Sequence, residues 1–169
     1  DVRFGIKTGA NEFFYLTEAE INRRKIEKEF WMHKDGKGDW MPNYVIKSPR
    51  ECKSIIVNPK DLKYRVLMIH KDKGDLKGTN ILKYILEGER KGFHKRPTCD
   101  SRGKWYELEE IKDVLLSRRF IDKEFSFYIN PEKIFVGDTF FVIQPTVALD
   151  IKLIAAYLNS TLSSFFLEI

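Results

Sequence analysis

The sequence predicts an α+β fold: a mixed, mostly antiparallel sheet with a few packed helices and a long C-terminal amphipathic helix. Strand-like and helix-like segments follow one another in mixed order, without the regular strand–helix alternation of a doubly wound sheet. From Val114 to Gln144 the β-rich runs "VLL", "FSFYI", "KIFV" and "TFFVI" are broken by "NPEK" and "GD" turns, which predicts a sheet or meander. In residues 150–169 Asp150 is placed to cap a helix, and Ile151, Ile154, Leu158, Leu162, Phe165 and Ile169 recur at helical spacing.

The chain opens with Val2, Phe4 and Ile6, then Phe13, Phe14 and Tyr15, a pattern for a hairpin or strand pair around the glycines of "FGIKTGANEFF". Thr17 and Glu20 form a capping box for a helix whose stripe, Ile21, Ile26 and Phe30, is ragged. The polar stretch His33 to Asp39 reads as a loop. Ser48, Pro49 and Glu51 repeat the start signature and predict a short helix. "SIIV" (54–57) and "RVLMIH" (65–70) read as strands on either side of "NPKD". Thr79 caps a helix with Ile81, Leu82, Ile85 and Leu86 on one face, ended by Gly92. "FHKRPTCDSRGKWYEL" reads mostly as loop, with a strand near Trp105 to Leu108.

With 169 residues, 43% of them apolar, the chain predicts a single domain over 1–169 with a real core. The net charge of +5 and pI of about 9.1 favour a polyanionic partner through the long-range field. Cys52 and Cys99 stand far apart, outside any CxxC, which argues against a zinc site or disulfide scaffold and predicts reduced cytoplasmic thiols. The sequence contains no run long and apolar enough for a membrane span and shows no signal peptide. It begins without Met and stops at "FFLEI" with an apolar stripe still running, which predicts a segment of a longer protein.

In "GIKTGANEFF" the order of Gly5, Lys7, Thr8 and Gly9 is wrong for a phosphate-binding P-loop, and GxGxxG is absent. One reading is structural: Gly9 takes a left-handed turn, Gly5 relieves strand crowding and Asn11 makes a side-chain turn. The other is functional: small residues let a polyanion approach the backbone, with Lys7 and Thr8 reaching phosphate. The stretch 89–108 interleaves Arg90, Lys91, Lys95, Arg96, Arg102 and Lys104 with Phe93, His94, Trp105 and Tyr106, a mix suited to phosphate, base-edge and stacking contacts. Its structural reading is a solvated basic loop anchored by Trp105 and Tyr106. Arg118 and Arg119 end a strand-like run and are either duplex-facing or a surface pair. Carboxylate pairs and a Ser, His and Asp arrangement suited to catalysis are not evident, and "ERK" (89–91) is only a weak echo of a metal nuclease.

Taken together, "VRFGIKTGANEFF", "VIKSPRE", "LKGTNILKYILEGE", "HKRPTCDSRGKWYEL" and "AAYLNSTLSSFFLE" resemble, in order and over nearly the whole chain, the target-recognition region of TaqI-like adenine-specific DNA methyltransferases and their fused restriction-modification relatives. The resemblance implies a reader of double-stranded DNA that serves a methyltransferase catalytic domain of the same chain. That domain would bind S-adenosylmethionine and methylate a flipped adenine. The family's catalytic [NDS]-P-P-[YFW] tetrapeptide and glycine-rich cofactor motif are missing here, so this segment is expected to carry no catalytic, cofactor or metal residue.

The expected phosphate contacts are Lys7, Thr8, Lys91, Lys95 and Lys104, and the expected base readers are Arg96, Arg102, Arg118 and Arg119, because the arginine fork matches the two major-groove acceptors of guanine. Asn11 and Trp105 complete the expected DNA-binding set. Two rival readings are an interaction module docking a catalytic partner through helix 150–169, and a self-sufficient metal nuclease using Glu89 and Lys91.

Overall fold

A computed structural model of the protein describes residues 1–119, 127–146 and 150–160. Its strands are β1 (Val2–Phe4), β2 (Tyr15–Thr17), β3 (Met32–Lys34), β4 (Trp40–Pro42), β5 (Tyr44–Ile46), β6 (Tyr64–Val66), β7 (Leu115–Arg118), β8 (Phe127–Ile129), β9 (Phe135–Val136) and β10 (Phe140–Ile143). Its α-helices are α1 (Asn11–Phe14), α2 (Glu18–Arg24), α3 (Asn80–Arg90), α4 (Pro97–Asp100) and α5 (Ile151–Leu158). The named strand pairings are antiparallel, so the fold is α+β as expected.

The chain divides into two compact units. The first comprises Asp1–Ile6, Ile46–Leu62 and Ile111–Ile169. Here the β-rich C-terminal runs form a sheet in the order β1-β10-β7-β8. Leu115, Ile129 and Ala155 pack together beneath Val114, Ile143, Ile151 and Ile154, so the alternating apolar residues of the strands meet one face of α5. The "NPEK" turn is held by Asn130, whose buried amide donates to Asp113 O and Ile134 O at 2.9 Å each and accepts from Ile134 N at 3.0 Å.

The expected long C-terminal helix is shorter. Helix α5 begins at the Asp150 cap and ends after Leu158, where the Asn159 side chain turns to β8, accepting from Phe127 N and donating to Phe127 O at 3.0 Å each. That two-way bond ties the end of the helix to a strand edge. Leu162, Phe165 and Ile169 lie outside the described residues, as do the first residues of "FSFYI".

The second unit comprises Lys7–Val45 and Lys63–Glu110. Strand β2 pairs with β6, and β6 with β5. The expected hairpin around Gly9 is replaced by two partnerships: β1 pairs with β10, while Asn11–Phe14 makes one helical turn before β2. The chain turns there because Phe13 and Phe14 must both enter an aromatic core, and adjacent strand residues point to opposite faces. Phe13 stacks on Tyr84 at 4.6 Å and tilts against Trp105 at 4.7 Å.

Both capping boxes form. Thr17 and Glu20 open α2, which stops at Lys25 in left-handed conformation (φ 54°), and Ser48 with Glu51 opens a 3-10 turn, Pro49–Glu51. Thr79 caps α3, and Gly92 follows its end at φ 78°. "SIIV" contributes only an isolated bridge from Ile56 to Ile129, and Trp105–Leu108 is turn and irregular chain instead of strand. Of the stretch expected as a loop, His33 and Lys34 belong to β3, and residues 35–39 are the tip of the hairpin formed by β3 and β4.

Candidate nucleic-acid interface

Two stretches of sequence about ninety residues apart meet in the second unit. Pro97 starts α4 with its φ already helical, and the turn after α4 brings Arg102 back over the segment Lys7–Gly9. One guanidinium nitrogen of Arg102 donates to Thr8 O at 3.0 Å and to Trp105 O at 3.2 Å, and the other donates to Lys7 O. Arg96 donates to Gly9 O at 3.2 Å and to Glu12 Oε1 at 2.6 Å, and lies over the Phe93 ring at 4.6 Å. Three successive carbonyls, those of Lys7, Thr8 and Gly9, are therefore held by two planar, multidentate donors.

The loop is fixed from within as well. Thr8 is buried; its hydroxyl donates to Asn11 Oδ1 and accepts from Ala10 N at 3.2 Å. Gly9 has φ 72°, and a Cβ there would lie 2.8 Å from Thr98 Cβ and 3.0 Å from Cys99 Sγ. The space on the Cβ side of Gly9 is filled by protein. Cys99 is itself buried, which pushes its thiol pKa up, and it donates to Thr8 O at 3.4 Å.

The expected residues thus separate by what they touch. Lys7, Asn11 and Lys95 have exposed side chains, while Thr8, Arg96 and Arg102 hold the loop. Trp105 is buried, and its indole N–H donates to Glu89 Oε1 at 2.9 Å. Lys73 pairs with the same oxygen. Lys91 is exposed and pairs with Glu87 at 2.7 Å one turn earlier in α3. Lys104 reaches His70 O at 2.6 Å and Asp72 at 3.1 Å, and Asp72 holds its pKa up. Arg118 and Arg119 belong to the first unit, where Arg119 lies 5.0 Å from the Phe4 ring centre and donates to Asp138 O at 3.3 Å.

Glu89 and Lys91, the residues of the nuclease reading, therefore face different partners. Among the described residues there is no group of three or more His, Cys, Asp or Glu placed to hold a metal. A shallow cavity of about 570 Å³ lies beside the site, lined by His70, Arg102, Gly103, Lys104, Glu107 and Glu109 among others. Within that lining Lys104 pairs with Glu107 at 3.6 Å, and His70 Nδ1 meets Glu107 at 3.2 Å.

Sequence reasoning missed the hairpin of β3 and β4, which exposes Trp40 and Met41. Its signal was present as "HKDGKGDWM", a glycine-containing turn between an aromatic and a basic flank, but polarity alone assigned it to a loop.

No helix among the described residues is long and apolar enough to cross a membrane. The family described as "Type II methyltransferase M.Eco57I, C-terminal domain" matches residues 1–169. The search of the curated proteins gives no match.

Proposed function

The chain belongs to the family of the type II methyltransferase M.Eco57I C-terminal domain, and from that premise we propose that it is the double-stranded DNA recognition domain of an adenine-specific methyltransferase. It positions the target adenine for methylation by a catalytic domain outside this segment. S-adenosylmethionine binds that catalytic domain, and the protein works in the cytoplasm.

One observation carries the reading. The guanidiniums of Arg96 and Arg102 tie down the carbonyls of Lys7, Thr8 and Gly9, so a polar loop bearing Lys7 and Asn11 is held rigid beside the segment bearing Lys95. A rigid loop that presents cations and amides suits a duplex: phosphate contacts fix register, and short polar side chains reach base edges. Flipping a base costs a few kcal/mol, so a methyltransferase needs such a second grip on the DNA around its target.

In this reading Lys7, Lys91, Lys95 and Lys104 contact phosphate, with Lys91 and Lys104 exchanging their carboxylate partners for it. Asn11, Arg118 and Arg119 are the base-reading candidates. Thr8, Arg96, Arg102 and Trp105 are positioning residues, bonded to Asn11, to the carbonyls of the loop and to Glu89.

Duplex affinity of the intact protein, measured against salt, tests this. With four lysine contacts, log affinity falls against log salt with a slope of roughly −3.6. Lys7→Gln and Lys95→Gln each make the slope shallower by about 0.9 and weaken all sequences alike. A salt-independent affinity contradicts the reading.

A further inference from the structure

Strands β3 and β4 form a two-stranded sheet that pairs with no other strand among the described residues. A lone hairpin is marginal in water, so its persistence needs anchors. They are at its base: Asn43 N donates to Trp31 O at 2.8 Å, the Trp31 indole donates to Ile26 O at 3.3 Å, and His33 Nδ1 meets Asn43 Oδ1 at 2.8 Å. The tip is ordered by Asp35, one carboxylate oxygen of which accepts from both Lys37 N at 2.8 Å and Asp39 N at 2.9 Å.

This ribbon exposes what folding normally hides. Trp40 and Met41 are each 38% exposed, and residues 36–41 are exposed throughout. The ammonium groups of Lys28 and Lys34 lie 4.9 and 5.7 Å from the Trp40 ring centre, so the indole carries two cations with it. Glu29 is taken up by Lys71 at 2.7 Å, and Asp35 by the turn. Lys37 and Asp39 remain at the tip with exposed side chains of opposite charge.

We propose that the hairpin Met32–Pro42 enters the major groove of duplex DNA and reads base edges there, a proposal that rests on the reading of this domain as a DNA-recognition module. Two strands about 4.8 Å apart fit a groove about 12 Å wide. The mixed charge suits base edges better than phosphates: lysine donates to guanine O6 and N7, and a carboxylate accepts from cytosine N4. Met41 and the Trp40 edge supply apolar contact for the thymine methyl, while Lys28 and Lys34 stand where the flanking phosphates run.

Hydroxyl-radical footprinting of the intact protein with and without sheared genomic duplex DNA tests this, with binding followed in parallel by anisotropy of a labelled fragment. Oxidation of Trp40 and Met41 is expected to fall several-fold on binding, and Asp39→Asn is expected to relax one position of the methylated sequence while overall binding persists. Binding that leaves both oxidation rates unchanged overturns the hairpin proposal and leaves the DNA-recognition reading standing. Protection of Trp40 and Met41 before any DNA is added means that the ribbon is docked on another part of the protein, and it too overturns the proposal. Failure to bind duplex at low salt overturns both readings. Trp40→Phe, which keeps the ring and the cation contacts, serves as the control for folding by circular dichroism.

Discussion

The Cβ that Gly88 lacks would stand 2.7 Å from Cη2 of Trp105 and 3.0 Å from two ring carbons of Phe13. Helix α3 carries a glycine in its last turns because two buried aromatic rings occupy the side-chain position. In an open helix Gly→Ala stabilises by about 1 kcal/mol. Here Gly88→Ala is expected to destabilise by roughly 1–2 kcal/mol net, since overpacking a closed core costs more than the propensity returns. Urea denaturation measures it, and a stabilised variant would show that Trp105 gives way.

Arg102 is expected to act through its shape rather than its charge. Arg102→Ala leaves the carbonyls of Lys7, Thr8 and Trp105 without these donors, at a cost of roughly 2–3 kcal/mol. Arg102→Lys keeps the cation but cannot span the carbonyls, so it is expected to lose most of the same stability and duplex affinity. Affinity retained in Arg102→Lys would indicate a direct phosphate contact.

Glu87 is held at a pKa of about 2, below its ordinary 4.5, first by the hydrogen bond from Arg24 and then by that from Lys91. A depressed carboxylate contributes stability that is complete above the unfolded pKa and is lost as pH falls through the folded one. Melting temperature should therefore fall between about pH 5 and pH 2, and Glu87→Gln should flatten that part of the curve. The loss is roughly 1–2 kcal/mol, reduced by water around a side chain that is 31% exposed.

Both thiols are expected to be inert in the folded protein. Burial pushes Cys52 up to about 12, with Glu51 and Asp61 adding to it, and burial also raises Cys99. Reaction with a disulfide reagent at pH 8 should be slow natively and complete after denaturation, because the thiolate is the nucleophile. Fast native modification of one thiol would contradict the burial seen here.

Much of this was legible in the residues themselves. Thr17, Ser48, Thr79 and Asp150 announced their helix starts because a cap is a local event, settled within a few residues. Strand partnership was not legible, since β1 meets β10 across the length of the chain and nothing near Phe4 encodes that. The site was half legible. Composition pointed to Lys7–Asn11 and to 91–105, but it could not tell that Arg96 and Arg102, expected to read bases, turn inward on carbonyls of the loop Lys7–Gly9. The end of α5 escaped because the residue that follows it, Asn159, bonds to a strand residue 32 positions earlier in the chain.

Whether this domain chooses the DNA sequence is answered by exchange. The domain is grafted in place of its counterpart in another methyltransferase of the same family with a different target, and the methylated sites in a genome are read by single-molecule sequencing. The methylated sequence is expected to follow the grafted domain. A methylated sequence that stays with the catalytic half would contradict it.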